Sequence, residues 1–438
     1  MTFVLKNIYV FYVFVIFITY TMNNVKIMGK GSASIELLFI LFISLFLNIA
    51  INFKKIGKVS IQKSFYVIVL FFLYLIINIV IDTQNTSILS SYTISTSGGI
   101  ILFYVLGVYL IYLINILEYQ LKFNIKFLKY FIFMFIFLLI YNLYMVSDIF
   151  LYLVGDIRDD IFMIHDDTNY QRPANFLTIN YIFLSILYLK ILVYVKYFNK
   201  YKYRFITINL LLYLNFIVAI LLSQMIGSNN GFVSLSGILF LNILILFIKN
   251  HKIFFSNFRI KFSNILFGEK AFKIWISILK TTTILSVLLY VLIILLDIDL
   301  NLFRIFGFGN SEITSITSRI AILSHFVDQF NVSPIFGNML SPEISGSSKG
   351  EFMHSFILSI LTHLGLFGMI IIILYLYLSI KQLCNYNLNL YINNIETVYF
   401  ILLFIGLFAI ALLGTFFIWI PIWFLFGIIF KIQKRTIK

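Results

Sequence analysis

The chain has 438 residues, of which 61% are apolar and only 11% are charged, whereas a soluble domain carries about 25% charged residues. A soluble globular protein of this length is excluded, because its surface would need far more charged side chains than are present. The net charge of +15 does not indicate a nucleic acid partner, because the basic residues are scattered between apolar runs and form no basic domain. The single cysteine, Cys384, excludes an intramolecular disulfide framework and a multi-cysteine metal site.

Apolar runs of about 20 residues, the length of a helix that crosses a bilayer, recur along the whole chain. The run from Phe65 to Ile81 is almost continuously apolar, whereas a strand of a membrane barrel would alternate apolar and polar residues. The pattern predicts about twelve spans, at residues 7–22, 35–53, 65–81, 99–117, 130–147, 176–195, 205–226, 231–248, 274–296, 355–380, 398–413 and 415–430. The predicted fold is an all-α polytopic integral membrane protein, with residues 1–438 forming a single transmembrane helical domain.

Positive charge is distributed unequally between the two sides of the predicted bundle. If the N-terminus is cytoplasmic, the inside segments carry 22 Lys and Arg residues, the outside segments carry seven, and three more lie at span ends. Lys and Arg accumulate in the short cytoplasmic loops of membrane proteins. The asymmetry therefore predicts that both termini face the cytoplasm.

Two outside segments, 148–175 and 297–354, are much longer than the other connections. Long loops among short ones are disproportionately functional, so we expect the functional site there. The second loop contains a predicted amphipathic helix from Glu312 to Phe330, whose apolar face would lie in the membrane interface or cap the bundle. The turn Pro334-Ile335-Phe336-Gly337 follows, and His354-Ser355 opens the tenth span.

Among the cationic and titratable side chains of these outside segments, the candidate site residues are Arg172, Arg319 and His354. Arg stays charged and contacts two phosphate oxygens with its planar fork, which suits a lipid pyrophosphate, and His can take a proton from a sugar hydroxyl. The same residues are also compatible with Arg side chains that reach ordinary lipid phosphates and with an interfacial His. Asp297-Ile298-Asp299 has the spacing with which nucleotide-sugar transferases hold a metal, but it is better interpreted as a solvated span boundary, so no metal site is expected.

An ordered series of short motifs runs through the second loop into the tenth span. The series is Ser318-Arg319, Asn331-Val332-Ser333-Pro334-Ile335-Phe336-Gly337, His354-Ser355-Phe356-Ile357-Leu358 and Gly365-Leu366-Phe367-Gly368. It resembles the core of the O-antigen polymerase and O-antigen ligase superfamily, in which an Arg helix leads to a Pro-x-x-Gly-type turn and then to a His that opens a span containing Gly-x-x-Gly. Arg172-Pro173-Ala174-Asn175-Phe176 is similar to the other Arg motif of that family. Departures are Ser355, where Asn usually follows the His, Asn175, where Gly is common, and Ser228-Asn229-Asn230-Gly231, where relatives often carry Ser-Arg.

The resemblance implies a metal-independent glycosyltransferase, without a cofactor, in the bacterial inner membrane with its site facing the periplasm. The donor would be a glycan on undecaprenyl pyrophosphate, held by Arg172 and Arg319. The acceptor would be the next lipid-linked repeat unit, deprotonated by His354. His325 and Ser355 would complete the substrate-binding set. Membrane lipid would surround the protein, and a chain-length regulator and a flippase of the same pathway are the implied protein partners.

Two other functions stay open from the sequence. One is the ligase that transfers finished polymer to lipid A core. The other is a flippase for lipid-linked oligosaccharide, which would be expected to carry charged residues inside its spans. Within the predicted spans the acidic or basic groups are Glu36, Lys190 and Lys280 near the ends and His363 in the tenth. The sequence therefore disfavours the flippase, and the polymerase is predicted ahead of the ligase, which the same motifs also fit.

Overall fold

A computed structural model of the chain describes residues 63–85, 99–108, 125–155, 171–197, 202–250, 323–338, 353, 355–385, 391–414 and 419–431, with six further positions between 276 and 291. Every regular element in these ranges is a helix. In chain order the helices are α1 (Lys63–Asn85), α2 (Gly99–Val108), α3 (Ile125–Gly155), α4 (Gln171–Tyr197), α5 (Lys202–Met225), α6 (Asn229–Asn250), α7 (Phe326–Val332), α8 (Phe356–Asn385), α9 (Tyr391–Gly414) and α10 (Ile420–Lys431).

Six of these helices contain stretches that are long and apolar enough to cross a membrane, as an embedded helical protein requires. The stretches are Lys63–Ile81, Phe131–Leu151, Pro173–Leu192, Ile208–Met225, Asn229–Leu246 and Phe356–Lys381. The apolar helices Gly99–Val108 and Tyr399–Leu412 are shorter. All eight coincide with predicted spans. The predicted spans 7–22 and 35–53, and most of 274–296, lie outside the described residues.

Helices extend into both ends of the predicted first long loop, 148–175. α3 continues to Gly155 and α4 begins at Gln171, so residues 156–170 connect the two helices. The reason is that a helix supplies its own backbone hydrogen bonds and can continue past the apolar stretch that crosses the membrane. Residues 156–170, with the paired aspartates Asp159-Asp160 and Asp166-Asp167, lie outside the described part of the chain.

α4 is the central helix of the described bundle. Between Pro173 and Leu192 nearly all of its described side chains are buried, and it packs against α3, α5, α6 and α10. α1, in contrast, exposes many large apolar side chains, such as Leu73 and Ile77. Exposed apolar side chains on a candidate span are expected where the surrounding solvent is lipid.

Hydrogen bonds between buried amides connect three helices around α4. Asn180 of α4 donates through Nδ2 to Oδ1 of Asn142 on α3 (3.2 Å), and Asn142 donates through Nδ2 to Oδ1 of Asn215 on α5 (3.0 Å). The Tyr181 hydroxyl donates to the backbone carbonyl of Asn215 (2.7 Å) and also contacts its side-chain oxygen. All four side chains are buried in the middle of candidate spans. Interhelical hydrogen bonds of this kind hold transmembrane helices together where apolar packing alone is not specific.

Candidate functional site

The Pro334–Gly337 turn and the Gly-x-x-Gly stretch of α8 meet backbone to backbone. Helix α8 is interrupted at Gly365, whose φ is 64° and ψ is −173°. The Pro334–Gly337 turn fits into this break. Leu366 N donates to Pro334 O (3.0 Å), and Phe367 N donates to Ile335 O (3.0 Å). In the opposite direction, Asn338 N donates to Thr362 O (3.1 Å). Backbone groups that the interrupted helix can no longer pair are therefore paired by the turn, as burial in a membrane protein requires.

Glycine is required on both sides of this junction. Gly337 has φ 74° and Gly365 has φ 64°, a region that residues with a Cβ rarely adopt. A Cβ on Gly365 would also lie 2.5 Å from the carbonyl carbon of Ile335 and 2.6 Å from Gly337 N, and a Cβ on Gly337 would lie 2.5 Å from Gly365 N. Gly337 and Gly365 thus face each other, and because neither has a side chain the two backbones can approach closely.

A side chain from a distant helix closes the junction. Tyr74 lies in the middle of α1, and its hydroxyl donates to the backbone carbonyls of Phe336 (2.5 Å) and Leu364 (2.8 Å). Its ring packs edge-on against Phe367 at 5.1 Å between centroids. One tyrosine therefore holds the turn and the broken helix to α1.

The break also folds α8 back on itself. The rings of Phe356 and Tyr375 lie 6.3 Å and 5.9 Å from the ring of Phe426, although a straight helix would separate residues 19 positions apart by about 28 Å. The part from 356 to 364 is consequently a separate half-helix. The predicted tenth span, 355–380, coincides with this apolar helix, but the apolar run does not reveal the bend at Gly365.

The half-helix begins inside the bundle rather than at its surface. The Phe356 ring packs on those of Phe408 (5.8 Å) and Trp423 (6.2 Å), and Met353 is fully buried. Met353, directly before the predicted His354-Ser355 motif, therefore lies among the helices.

The first turns of α4 and α6 lie side by side. A Cβ on Gly231 of α6 would lie 3.1 Å from Cβ of Ala174 on α4, and further along Asn242 Nδ2 donates to Ser185 Oγ (2.8 Å). Ala174 and Gly231 lie at nearly the same position counted from the N-termini of their helices, and so do Ser185 and Asn242. α4 and α6 therefore run parallel, with their N-termini at the same level.

A third helix begins at the same place. The indole Nε1 of Trp419, just before α10, donates to Oδ1 of Asn175 on α4 (3.0 Å). Unpaired backbone N–H groups give each helix N-terminus a partial positive charge. The end of the bundle defined by Ala174, Asn175, Gly231 and Trp419, here called the α4 end, therefore favours anionic groups, and the backbone of Arg172 lies in the first turn of α4.

The turn that precedes α6 belongs to the α4 end as well. Gly227 has φ 85°, Ser228 N donates to Ser223 O (2.9 Å) and Gly231 N donates to Ser228 Oγ (3.1 Å). Ser228 therefore caps the first turn of α6. The motif that departs from the expected Ser-Arg pair thus lies beside the Arg172 motif, with Asn229 and Asn230 half-buried.

The structure describes some of the predicted site residues but not others. Arg319, His354 and the metal-ligand alternative Asp297-Ile298-Asp299 lie outside the described residues, as does the side chain of Arg172. His325 is exposed and directly precedes α7. Ser355 is half-buried, and its carbonyl accepts a hydrogen bond from Ser359 N (2.8 Å) at the start of the half-helix.

The predicted amphipathic helix is described only from Leu323 onward. It is interrupted by a turn at His325 and ends at Val332, two residues later than predicted but before Pro334. Leu323 and Val327 of its predicted apolar face are exposed, whereas the buried residue of α7 is Gln329. The exposure of Leu323 and Val327 is consistent with the alternative in which the apolar face meets lipid.

Sequence reasoning missed three residues that organise this region. Tyr74 and the buried Asn142 belong to no motif, and the motif that contains Asn175 does not indicate its role as the acceptor for Trp419. A polar residue in the middle of an apolar span was the available signal for Asn142, since such groups need a partner. No comparable signal marks Tyr74, because the chain contains 28 tyrosines.

Comparisons with known proteins identify no relative: no family model, no curated protein and no solved structure matches the chain. The chemical capacity that the described geometry shows is that of the α4 end, where three helix N-termini can hold an anionic group such as a phosphate.

Proposed function

We propose that the chain is an O-antigen-type polymerase, which joins undecaprenyl-pyrophosphate-linked oligosaccharide repeat units by glycosyl transfer at the periplasmic face of a bacterial inner membrane. The observation that carries the proposal is the junction of Pro334–Gly337 with Gly365–Gly368. The family resemblance treats these two motifs as parts of one core, and they fold into one unit although 27 residues lie between Gly337 and Gly365.

The electrostatics of the described helices support an anionic lipid substrate. The N-termini of α4, α6 and α10 meet at the α4 end, and Arg172 belongs to the first turn of α4. Three partial positive charges and a guanidinium would favour a pyrophosphate over a neutral headgroup. Broken helices at membrane depth are also a common way for membrane proteins to build a site for a polar group.

In the proposed reaction the acceptor hydroxyl oxygen attacks the anomeric carbon of the donor sugar. The bond between that carbon and the pyrophosphate oxygen breaks, the new glycosidic bond forms, and undecaprenyl pyrophosphate leaves with the bonding electrons. His354 accepts the hydroxyl proton, and Arg172 and Arg319 stabilise the negative charge that develops on the pyrophosphate. His325 and Ser355 contact the sugars, and no metal ion is needed.

The test is the length distribution of lipopolysaccharide in a host that lacks this protein. A single repeat unit on the core would support the polymerase. An absence of repeats from the core would indicate the ligase instead, and repeats trapped on the cytoplasmic side would indicate a flippase. Re-expression of the chain should restore long polymer.

The same host tests the proposed base. His354→Ala should be inserted at normal abundance and lose long polymer, because a general base contributes about 10²–10⁴-fold to rate. His165→Ala, which changes another histidine of an outer loop without a motif around it, is the matched control and should give normal ladders. Normal ladders from expressed His354→Ala would remove His354 from the mechanism.

A further inference from the structure

Tyr74 makes contacts that bring together three parts of the chain far apart in sequence. Its hydroxyl bonds to carbonyls 262 and 290 residues away, one in the turn and one in the last residue of the half-helix before Gly365. A phenol has one hydrogen, so the two carbonyls share a single donor. Removing the hydroxyl would leave both carbonyls without it.

The ring of Tyr74 would fit without its hydroxyl. It packs on Phe367 at 5.1 Å, and its Cε1 atom would lie 3.2 Å from a Cβ placed on Gly368. These are apolar contacts that phenylalanine can keep. The change Tyr74→Phe therefore isolates the hydrogen bonds from the packing.

The turn lies between the two parts of the loop that carry the proposed chemistry. Pro334 follows Arg319 by 15 positions and precedes His354 by 20 positions. The turn is thus a fixed point between the pyrophosphate ligand and the base. Displacement of a catalytic group by about 1 Å can lower a rate 10²-fold.

We propose that Tyr74 is a positioning residue for glycosyl transfer: it holds the Pro334–Gly337 turn in the break of α8 and so fixes the loop that carries Arg319 and His354. This inference rests on the proposed function, but the docking of the turn can be measured without any enzymatic assay.

The first experiment measures docking by cross-linking. Ile335→Cys and Leu366→Cys are introduced together in a Cys384→Ser background, because both side chains are exposed and belong to backbone stretches that hydrogen-bond to each other. A short bis-methanethiosulfonate reagent should join them rapidly in membranes. Adding Tyr74→Phe should lower the initial cross-linking rate about 5-fold or more, because a buried carbonyl without a donor is costly.

The matched control is Tyr66→Phe. Tyr66 lies on the same helix, but 60% of its surface is exposed, so the same chemical change should leave the cross-linking rate unaltered. An equal rate in the Tyr74→Phe and Tyr66→Phe proteins would overturn the proposal. Failure of the starting pair to cross-link at all would overturn it too.

The second experiment asks whether docking serves the reaction. Tyr74→Phe should lower the rate of repeat-unit addition about 10-fold or more at matched protein levels, and completing the 335–366 cross-link in the same protein should restore it. If the cross-link forms fully without restoring the rate, Tyr74 does not position the reaction.

The outcomes separate this inference from the proposed function. If His354→Ala leaves the ladders unchanged while Tyr74→Phe slows cross-linking, the proposed base is wrong and the anchoring role of Tyr74 stands as a structural fact. If His354→Ala abolishes polymer while Tyr74→Phe changes neither rate, the proposed function is supported and the positioning role is refuted.

Discussion

At the scale of single residues, the described site is governed by the need to pair polar groups away from water. The Leu364 carbonyl lies next to the break and the Phe336 carbonyl belongs to a turn, and both accept from Tyr74. A buried polar group without a partner costs about 1–3 kcal/mol. The presence of Tyr74 and Ser228 at these positions is therefore explained by the hydrogen bonds that their hydroxyls form with backbone groups.

The role of Arg319 can be distinguished from that of an interface anchor by the change to lysine. Lysine keeps the charge and can also reach the headgroup region, but its ammonium cannot make two parallel contacts to phosphate oxygens. We expect Arg319→Lys to be inserted normally and to give short ladders. Lys349→Arg, the reverse exchange in the same loop, should give normal ladders. Full-length ladders from Arg319→Lys would show that only the charge matters there.

At the scale of elements, α8 depends on a glycine that no other residue replaces. Gly365→Ala would place a Cβ 2.5 Å from the carbonyl carbon of Ile335 in an unfavourable backbone region, and should destabilise the protein by at least about 1–3 kcal/mol. Gly406 of α9 has open space where a Cβ would lie, so Gly406→Ala should be neutral or stabilising by up to about 1 kcal/mol. Thermal denaturation of the detergent-solubilised proteins measures both. Equal denaturation temperatures would contradict the described junction.

The amide network gives a second prediction for the packing of helices. Asn142→Leu keeps the approximate volume of the side chain but removes the partner of Asn180 and of Asn215. Interhelical hydrogen bonds in membrane proteins contribute about 0.6 kcal/mol on average and up to about 1.7 kcal/mol, so a loss of about 1–2 kcal/mol is expected. Tyr144→Phe, an exposed position on the same helix, is the control and should change little. Equal stability of the two variants would show that the amide network does not stabilise the protein.

The sequence predicted the helices well because lipid imposes a simple rule on their composition. Apolar runs located the eight described apolar helices, and the turn at Pro334–Gly337 is confirmed, because proline ends α7 and glycine supplies the positive φ. The bend at Gly365 could not be predicted, since the run on either side of it is apolar and glycine is tolerated inside helices. The contact with Tyr74 was out of reach as well, because nothing local couples residues 262 positions apart.

At the scale of the whole molecule, the parallel arrangement of α4 and α6 aligns the dipoles of the two helices. Their N-termini meet with that of α10 at the α4 end, and the predicted topology places this end in the periplasm. In that topology the excess of Lys and Arg belongs to the segments of the opposite side. The side-chain charges and the helix dipoles would then serve different purposes, orientation of the protein in one case and attraction of an anionic headgroup in the other.

This arrangement depends on the predicted orientation, which a labelling experiment tests directly. Ser347→Cys in a Cys384→Ser background places one thiol in the second long loop, 297–354. A thiol reagent that cannot cross the inner membrane should label it in cells whose outer membrane alone is permeabilised, because the basic residues divide 22 to seven in favour of a cytoplasmic N-terminus. A cysteine at Asn250, at the opposite end of α6 from the α4 end, should react only after lysis. If the two positions exchange behaviour, the α4 end faces the cytoplasm, and a periplasmic polymerisation site there is excluded.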